Sequence, residues 1–244
     1  MENTNNTNAK TKYHSHLFWI LAVLAPICLK MALGYMVSDI IASVLMRKEG
    51  ITDIVELNRI FGQSGLGVVS TGIASLTATV VIIRMLNADT AAGFGGEWYG
   101  LHKIKPQKAV IYGVSAAVAA LVMNYIVNII LTNLLHTYTS SEVILFSGNI
   151  LLRLVVLGFI VPVCEEYLFR GIVFKRLTSV VNIGLSVVLS ALLFGAYHLN
   201  VVQFVYAGIL GLFLGVIYVK EKNLLVPIIA HAVANIVIIL FEYV

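Results

Sequence analysis

The chain has 244 residues, of which 59% are hydrophobic and 11% are charged, whereas an average soluble domain carries about 25% charged residues. So few charges cannot cover the surface of a soluble protein, and they indicate a protein whose solvent is the lipid bilayer. The formal net charge is +4. Its basic residues lie between apolar runs, so they predict membrane topology and not nucleic-acid binding.

Apolar segments follow one another along the chain, and about 20 such residues suffice to cross the hydrocarbon core as a helix. We therefore predict an all-α, multi-pass transmembrane bundle. Residues 1–15 are polar and asparagine-rich, so they are expected to form a disordered tail ahead of one membrane domain over 16–244. Segment 47–62 predicts either an interfacial helix or a polar loop. The seven predicted spans are 17–42, 65–86, 108–135, 143–174, 183–198, 202–219 and 224–241.

Lysine and arginine are concentrated in the tail and in alternate loops between these spans. Because positive charge is retained on the cytoplasmic side, the distribution predicts a cytoplasmic N-terminus and an external C-terminus. The predicted cytoplasmic residues are Lys10, Lys12, Arg84, Lys103, Lys105, Lys108, Lys175, Arg176, Lys220 and Lys222. The predicted external residues are Arg47, Lys48 and Arg59.

Two adjacent glutamates lie in the fourth predicted span, where ionisable groups are costly and mark functional sites. Glu166 and Arg170 are four residues apart, so they share a helix face and can pair. Glu165 lies about 100° further round the helix, and Arg170 need not neutralise it. Pro162 is expected to kink the helix nearby. The alternative is that both carboxylates lie at the headgroup level and are simply solvated.

Two histidines lie in spans that are otherwise uncharged. Phe194 and His198 share a face near the end of the fifth span, and His231 and Asn235 share a face of the seventh. A single membrane histidine is usually an interhelical hydrogen-bonding residue. Together with Glu165, however, the two imidazoles provide the groups that activate water and stabilise an oxyanion. Two histidines and one glutamate also satisfy a catalytic zinc site with an open position.

The segments EEYLFR (165–170), FGAYH (194–198) and HAVAN (231–235) resemble the three motifs of the CAAX-protease and bacteriocin-processing family of intramembrane endopeptidases. Those motifs are EExxxR, FxxxH and HxxxN or HxxxD, on successive membrane helices. The resemblance covers about residues 145–241, and the sequence departs from the pattern at none of the motif positions. It says little about the first three spans.

The resemblance implies that Glu165 activates the attacking water and that His198 assists it. His231 and Asn235 would stabilise the oxyanion, while Glu166, Arg170 and Phe194 would support the site. It also implies either a glutamate mechanism without a metal or a zinc ion bound by Glu165, His198 and His231. The expected partners are the lipid bilayer and a peptide or protein substrate in or at the membrane. The expected reactions are CAAX-type processing, bacteriocin processing and signal-peptide maturation.

Two other functions fit the same residues. One is a non-catalytic membrane immunity protein or sensor regulator that keeps the peptidase fold. The other is a small proton-coupled transporter, because membrane glutamates and histidines also relay protons. Outside the motifs, Lys30 and Asp39 in the first span either contact the substrate or snorkel to an interface, and the second is the expectation. The two cysteines, Cys28 and Cys164, are too few for a disulfide framework or a thiolate metal site.

Overall fold

The computed structural model describes residues 16–127 and 149–243, and within these ranges all regular structure is helical. The predicted tail, the end of the third predicted span and the start of the fourth lie outside the described residues. We number the helices of the described residues α1 to α8 in chain order. They are α1 (His16–Glu49), α2 (Ile54–Gln63), α3 (Leu66–Ala91), α4 (Pro106–Val127), α5 (150–177), α6 (Ile183–Tyr197), α7 (Val201–Glu221) and α8 (Leu225–Tyr243).

Asparagine and aspartate side chains set where several helices begin. Asp53 accepts a hydrogen bond from the Val55 amide at the start of α2, and Asn182 accepts one from Leu185 at the start of α6. Asn200 accepts hydrogen bonds from two amides in the first turn of α7. Such N-caps satisfy amides that have no partner within the helix. Helices α6 and α7 therefore begin within one residue of the predicted starts of the fifth and sixth spans, 183 and 202.

Helix α5 carries the two glutamates and is not a regular α-helix. Its α-helical segments are Ile150–Val155, Val161–Glu166 and Phe174–Leu177, and its π-helical segments are Val156–Ile160 and Tyr167–Val173. Pro162 follows directly after the first π segment. A proline ring inside an α-helix clashes with the carbonyl four residues earlier, and widening the preceding turns into a π-helix accommodates it. The helix irregularity expected near Pro162 is therefore a π-helical segment.

In the part of the chain that the structure describes, four helices are long and apolar enough to cross a membrane, namely α1, α3, α4 and α7. Helices α6 and α8 are apolar but shorter, and α5 is divided by its two π-helical segments. The protein is an all-α membrane helical bundle, and the count of seven crossings stays a prediction. Helix α1 runs beyond the predicted end at residue 42, as far as Glu49. The helical reading of segment 47–62 is confirmed for its second part, which forms α2.

Three loops that were predicted to share one side of the membrane contact one another. The Gly96 amide, in the loop between α3 and α4, donates to the Lys175 carbonyl at the end of α5. Asn223, between α7 and α8, accepts from the His102 amide and donates to the His102 carbonyl. We call this end of the bundle the basic face: residues 92–105, 175–182 and 220–224. Its loops contain Lys103, Lys105 and Lys222.

The start of α1 reaches the same face. Arg176 forms an ion pair with Asp89 of α3, with 2.8 Å between Nε and Oδ2, and also donates to the Ala22 carbonyl of α1. These contacts connect the first and third helices to the end of α5. The basic residues that were assigned to one side therefore cluster structurally, while the side of the membrane on which they lie stays a prediction.

We expect the basic face to be cytoplasmic, because it concentrates positive charge. Single cysteines at Lys103 and Lys222, both exposed in the structure, should resist a membrane-impermeant thiol reagent in intact cells. A cysteine at Lys48, at the far end of α1, should react. The background is a variant whose two native cysteines are replaced by alanine. Labelling of positions 103 and 222 from outside, with protection of position 48, would reverse the orientation.

The close packing of α6 against α7 depends on glycine. A Cβ atom at Gly195 would lie 2.6 Å from the Phe204 carbonyl oxygen, and one at Gly211 would lie 3.0 Å from the Phe194 ring. Small residues allow helix backbones in membranes to approach in this way. As a result, α6 and α7 form a tight antiparallel pair whose connecting turn, 198–200, lines the cavity described below.

Candidate active site

The two adjacent glutamates of α5 are both removed from the bulk surface. Glu165 has 5% of its surface exposed and Glu166 has none. Only Glu165 lines the main cavity of the described residues, whereas Glu166 points into packed protein. The headgroup-level alternative, with both carboxylates solvated, does not fit this arrangement, because Glu166 is fully buried in packed protein.

Glu166 and Arg170 form the ion pair that their spacing predicts. One guanidinium nitrogen of Arg170 lies 2.8 Å from Glu166 Oε1, and the other donates to the Gly211 carbonyl of α7 at 2.9 Å. The guanidinium carbon also lies 4.9 Å from the centroid of the Phe194 ring, within cation–π range. Arg170 thus connects α5 to both α6 and α7, and Phe194 supports the site through this contact.

His231 of α8 lies between the two glutamates. Its Nδ1 is 2.8 Å from Glu166 Oε1, and its Nε2 is 3.7 Å from Glu165 Oε2. Because an ionised Glu166 that is paired with Arg170 can only accept, Nδ1 carries a proton. This bond fixes the orientation of the ring and directs Nε2 towards Glu165 and the cavity. Glu166 therefore positions His231 as well as pairing with Arg170, a second role that the sequence did not predict.

His198 caps the end of α6 and lines the same cavity. Its Nδ1 is 2.9 Å from the Phe194 carbonyl oxygen, which leaves Nε2 for other contacts. The Phe194 ring packs against both imidazoles, with centroid distances of 5.2 Å to His198 and 5.6 Å to His231. The two histidines therefore contact one phenyl ring and line a common cavity.

Asn235 lies one helical turn beyond His231 on α8 and also lines the cavity. Its Nδ2 donates to the Leu157 carbonyl of α5 at 2.9 Å. Leu157 belongs to the first π segment, where the wider turn redirects backbone carbonyls away from regular α-helical pairing. This bond orients the Asn235 amide, which keeps a second N–H for other acceptors.

The cavity has a volume of about 740 Å³ and is formed by more of the chain than the three motifs. Helices α1 and α3 contribute Lys30, Ser38 and Thr71 to its wall, and the turn between α6 and α7 contributes Asn200. Lys30 has only 5% of its surface exposed. The expectation that Lys30 snorkels to an interface is therefore wrong: helix packing places its ammonium group in the cavity. The alternative expectation, contact with the substrate, fits this position, although the cavity itself joins segments that are distant in the sequence.

The zinc alternative can be tested against the donors that are present. Glu165 Oε2 and His231 Nε2 lie 3.7 Å apart, whereas the Nδ1 atom of His198 contacts the Phe194 carbonyl oxygen. A catalytic zinc needs three protein ligands about 2 Å from the metal. Among residues 16–127 and 149–243, no three histidine, cysteine, aspartate or glutamate side chains are grouped for this. The donors as placed do not fit zinc, and no step below uses a metal.

Residues 147–237 match the family model of the Rce1-like type II CAAX prenyl endopeptidases. The range contains the glutamate pair, Arg170, both histidines and Asn235. This part of the chain is similar to the Rce1-like family. The resemblance drawn from the three motifs is thereby confirmed. The Rce1-like region begins just before α5 and ends within α8, so α1 and α3, which complete the cavity wall, lie outside it.

Two bacterial proteins are similar to parts of the chain. One is named Putative membrane peptidase YdiL, from Bacillus subtilis (strain 168), and is 26% identical over 37% of this chain and 37% of its own length. The other is named Membrane-embedded CAAX protease MroQ, from Staphylococcus aureus (strain USA300). It is 31% identical over 50% of this chain and 55% of its own length. The matches thus span between a third and somewhat over half of these relatives. No solved structure matches the chain significantly.

Proposed function

We propose that this protein is an intramembrane endopeptidase that hydrolyses a peptide bond of a membrane-associated peptide or protein. The observation that carries the proposal is the arrangement of Glu166, His231 and Glu165, in which one buried carboxylate fixes the imidazole and the imidazole faces the second carboxylate beside a cavity. This is the arrangement that general acid–base catalysis needs. The family match and the names of the two relatives support the same reaction class.

In the proposed reaction, Glu165 is the general base. Its carboxylate takes a proton from a water molecule, and the water oxygen attacks the carbonyl carbon of the scissile peptide bond. The C–N bond then breaks, and Glu165 returns the proton to the leaving amine, so that the carboxylate is regenerated. His198, which lines the same cavity, assists by orienting the water or the substrate through its Nε2.

Oxyanion stabilisation is assigned to His231 and Asn235. With Nδ1–H bound to Glu166, His231 protonated at Nε2 donates a hydrogen bond to the oxygen that becomes negative in the tetrahedral intermediate. The second N–H of Asn235 donates to the same oxygen. Donors fixed in advance cost no reorganisation when charge develops. The hydrogen bonds to Glu166 and to Leu157 provide this fixation.

The cavity explains how water and peptide meet within a bilayer. Backbone that is not helical is tolerated at membrane depth only where protein buries it or where it lines a cavity. The turn at 198–200 meets that condition here. The same space admits an extended peptide segment next to Glu165. The substrate class we propose comprises CAAX-type proteins, bacteriocin precursors and signal peptides.

A comparison of deletion strains tests the proposal. A strain without this protein is complemented with the wild type, with Glu165→Ala or with the surface control Glu49→Gln, and its membrane proteins and small peptides are compared by mass spectrometry. We expect at least one peptide to be matured by the wild type and by the control but not by Glu165→Ala. Identical peptide profiles in all three strains, with equal protein levels, would favour the non-catalytic regulator. Glu165-dependent proton flux without cleavage would favour the transporter.

A further inference from the structure

Lys30 is a buried lysine that the proposed reaction does not use. It lies on α1, outside the Rce1-like region, and its side chain lines the cavity that contains Glu165. Within the described residues it forms no hydrogen bond or ion pair. Its Nζ lies 6.0 Å from the centroid of the Tyr197 ring, at the outer limit of a cation–π contact. A buried ammonium group of this kind is costly unless an anion compensates it.

The contacts at the basic face place Lys30 at nearly the same depth as Glu165. Arg176 of α5 bonds the Ala22 carbonyl of α1, so this contact is a common reference for the two helices. From it, α1 runs inwards for about 12 Å to Lys30, and α5 runs inwards for about 16 Å to Glu165, at about 1.5 Å per residue. The ammonium group and the proposed base therefore lie at similar levels of one cavity.

The chemistry of this position calls for an anionic ligand. Glu166 is already paired with Arg170 and His231, and Glu165 is on the α5 wall of the cavity. Among residues 16–127 and 149–243, no other carboxylate lines the cavity. A peptide that enters beside Glu165 can bring a carboxylate of its own, from its C-terminus or from an acidic side chain. A charge-assisted hydrogen bond in a site with little water is among the stronger polar interactions.

We propose that Lys30 is a specificity-determining residue that binds a carboxylate of the peptide substrate and thereby sets which bond lies at Glu165. The proposal rests on the proposed function, because it takes the ligand to be a peptide. It assigns a role to α1 that the motif-bearing helices cannot supply: they carry the reacting groups, whereas α1 carries the charge that holds the substrate in register.

Peptide binding to the Glu165→Gln protein in lipid nanodiscs tests the proposal without cleavage. The probe is a short dansylated alanine–leucine peptide in three forms: with a free C-terminus, with an amidated C-terminus, and amidated with one leucine replaced by glutamate. We expect the free-carboxylate form to bind about tenfold or more tightly than the simple amide, the ratio that one charge-assisted hydrogen bond supplies. The glutamate form shows whether a side-chain carboxylate serves as well as the terminal one.

The control variants test whether the carboxylate preference depends on the Lys30 ammonium group. Adding Lys30→Gln should abolish the carboxylate preference, Lys30→Arg should retain most of it, and Lys48→Gln, at an exposed lysine of the same helix, should leave it unchanged. Equal binding of free and amidated peptides, an unchanged preference in Lys30→Gln, or no binding of any form would overturn the proposal. So would a preference that follows the anionic lipid content of the nanodisc. If the carboxylate preference depends on Lys30 but the wild-type protein cleaves no peptide, only the peptidase function would be refuted.

Discussion

Replacement of Glu165 by glutamine is expected to reduce peptide cleavage by about 10²–10⁴-fold or more, the contribution of a positioned general base. Glutamine keeps the size of the side chain and accepts hydrogen bonds, but it cannot take a proton from water. Glu165 forms no ion pair with Arg170, so the variant should unfold at nearly the wild-type temperature. Cleavage per folded molecule is measured in proteoliposomes, with a peptide identified by the complementation experiment.

The matched control for this variant is Glu49→Gln, which removes an exposed glutamate at the end of α1. It should cleave at the wild-type rate. The informative comparison is with Glu166→Gln, which changes the adjacent residue. If Glu166→Gln were stable and inactive while Glu165→Gln remained active, the roles of the two glutamates would be reversed.

Breaking the buried Glu166–Arg170 pair should cause the largest loss of stability of any single polar substitution in the bundle. Both side chains are almost completely buried, and removing one partner of such a pair typically costs about 3–5 kcal/mol, because the other charge is left uncompensated. Glu166→Gln and Arg170→Met should each lower the unfolding temperature strongly. The double variant should unfold at nearly the same temperature as either single variant, because each substitution removes the same shared interaction.

An exposed ion pair provides the control for this cycle. Arg59 donates two hydrogen bonds to Glu56 on the surface of α2, and solvent screens such pairs. Glu56→Gln, Arg59→Met and their double variant should therefore unfold at nearly the wild-type temperature. Additive losses from Glu166→Gln and Arg170→Met would show that the two residues stabilise the bundle through separate contacts.

Local features of this fold could be predicted from the sequence because they depend on neighbours in the chain. The pairing of Glu166 with Arg170 follows from helical periodicity. The break at Asn182 follows from the capping of a helix start, and the irregular turns ahead of Pro162 follow from its missing amide hydrogen and its ring. The clustering of the basic loops was predicted because positive charge reports membrane sidedness.

The contacts between distant segments could not be predicted in this way. His231 lies 65 residues beyond Glu166, and the relative rotation of α8 and α5, on which their hydrogen bond depends, is set by packing throughout the bundle. The contacts of the Phe194 ring with both histidines depend on the close approach of α6 and α7. Neither arrangement is a property of one segment.

Lys30 shows most clearly the difference between features that depend on neighbouring residues and contacts that depend on packing between distant segments. Read within its own helix, it is a long basic side chain in an apolar span, and such side chains commonly snorkel to an interface. Its burial results from the packing of α1 against the helices that carry the motifs. Because the motif match covers only residues 147–237, similarity to known proteins gave no indication that α1 contributes to the cavity.

A single-turnover cleavage measured in water enriched in oxygen-18 tests the central claim most directly, namely that Glu165 activates water to hydrolyse a peptide bond in this cavity. Purified protein in proteoliposomes, in excess over the peptide, is compared with Glu165→Gln, and the products are weighed by mass spectrometry. The account predicts one heavy oxygen in the new C-terminal carboxylate from the wild type, and almost no product from Glu165→Gln. Unlabelled product from the wild type, or labelled product from Glu165→Gln at the wild-type rate, would contradict it.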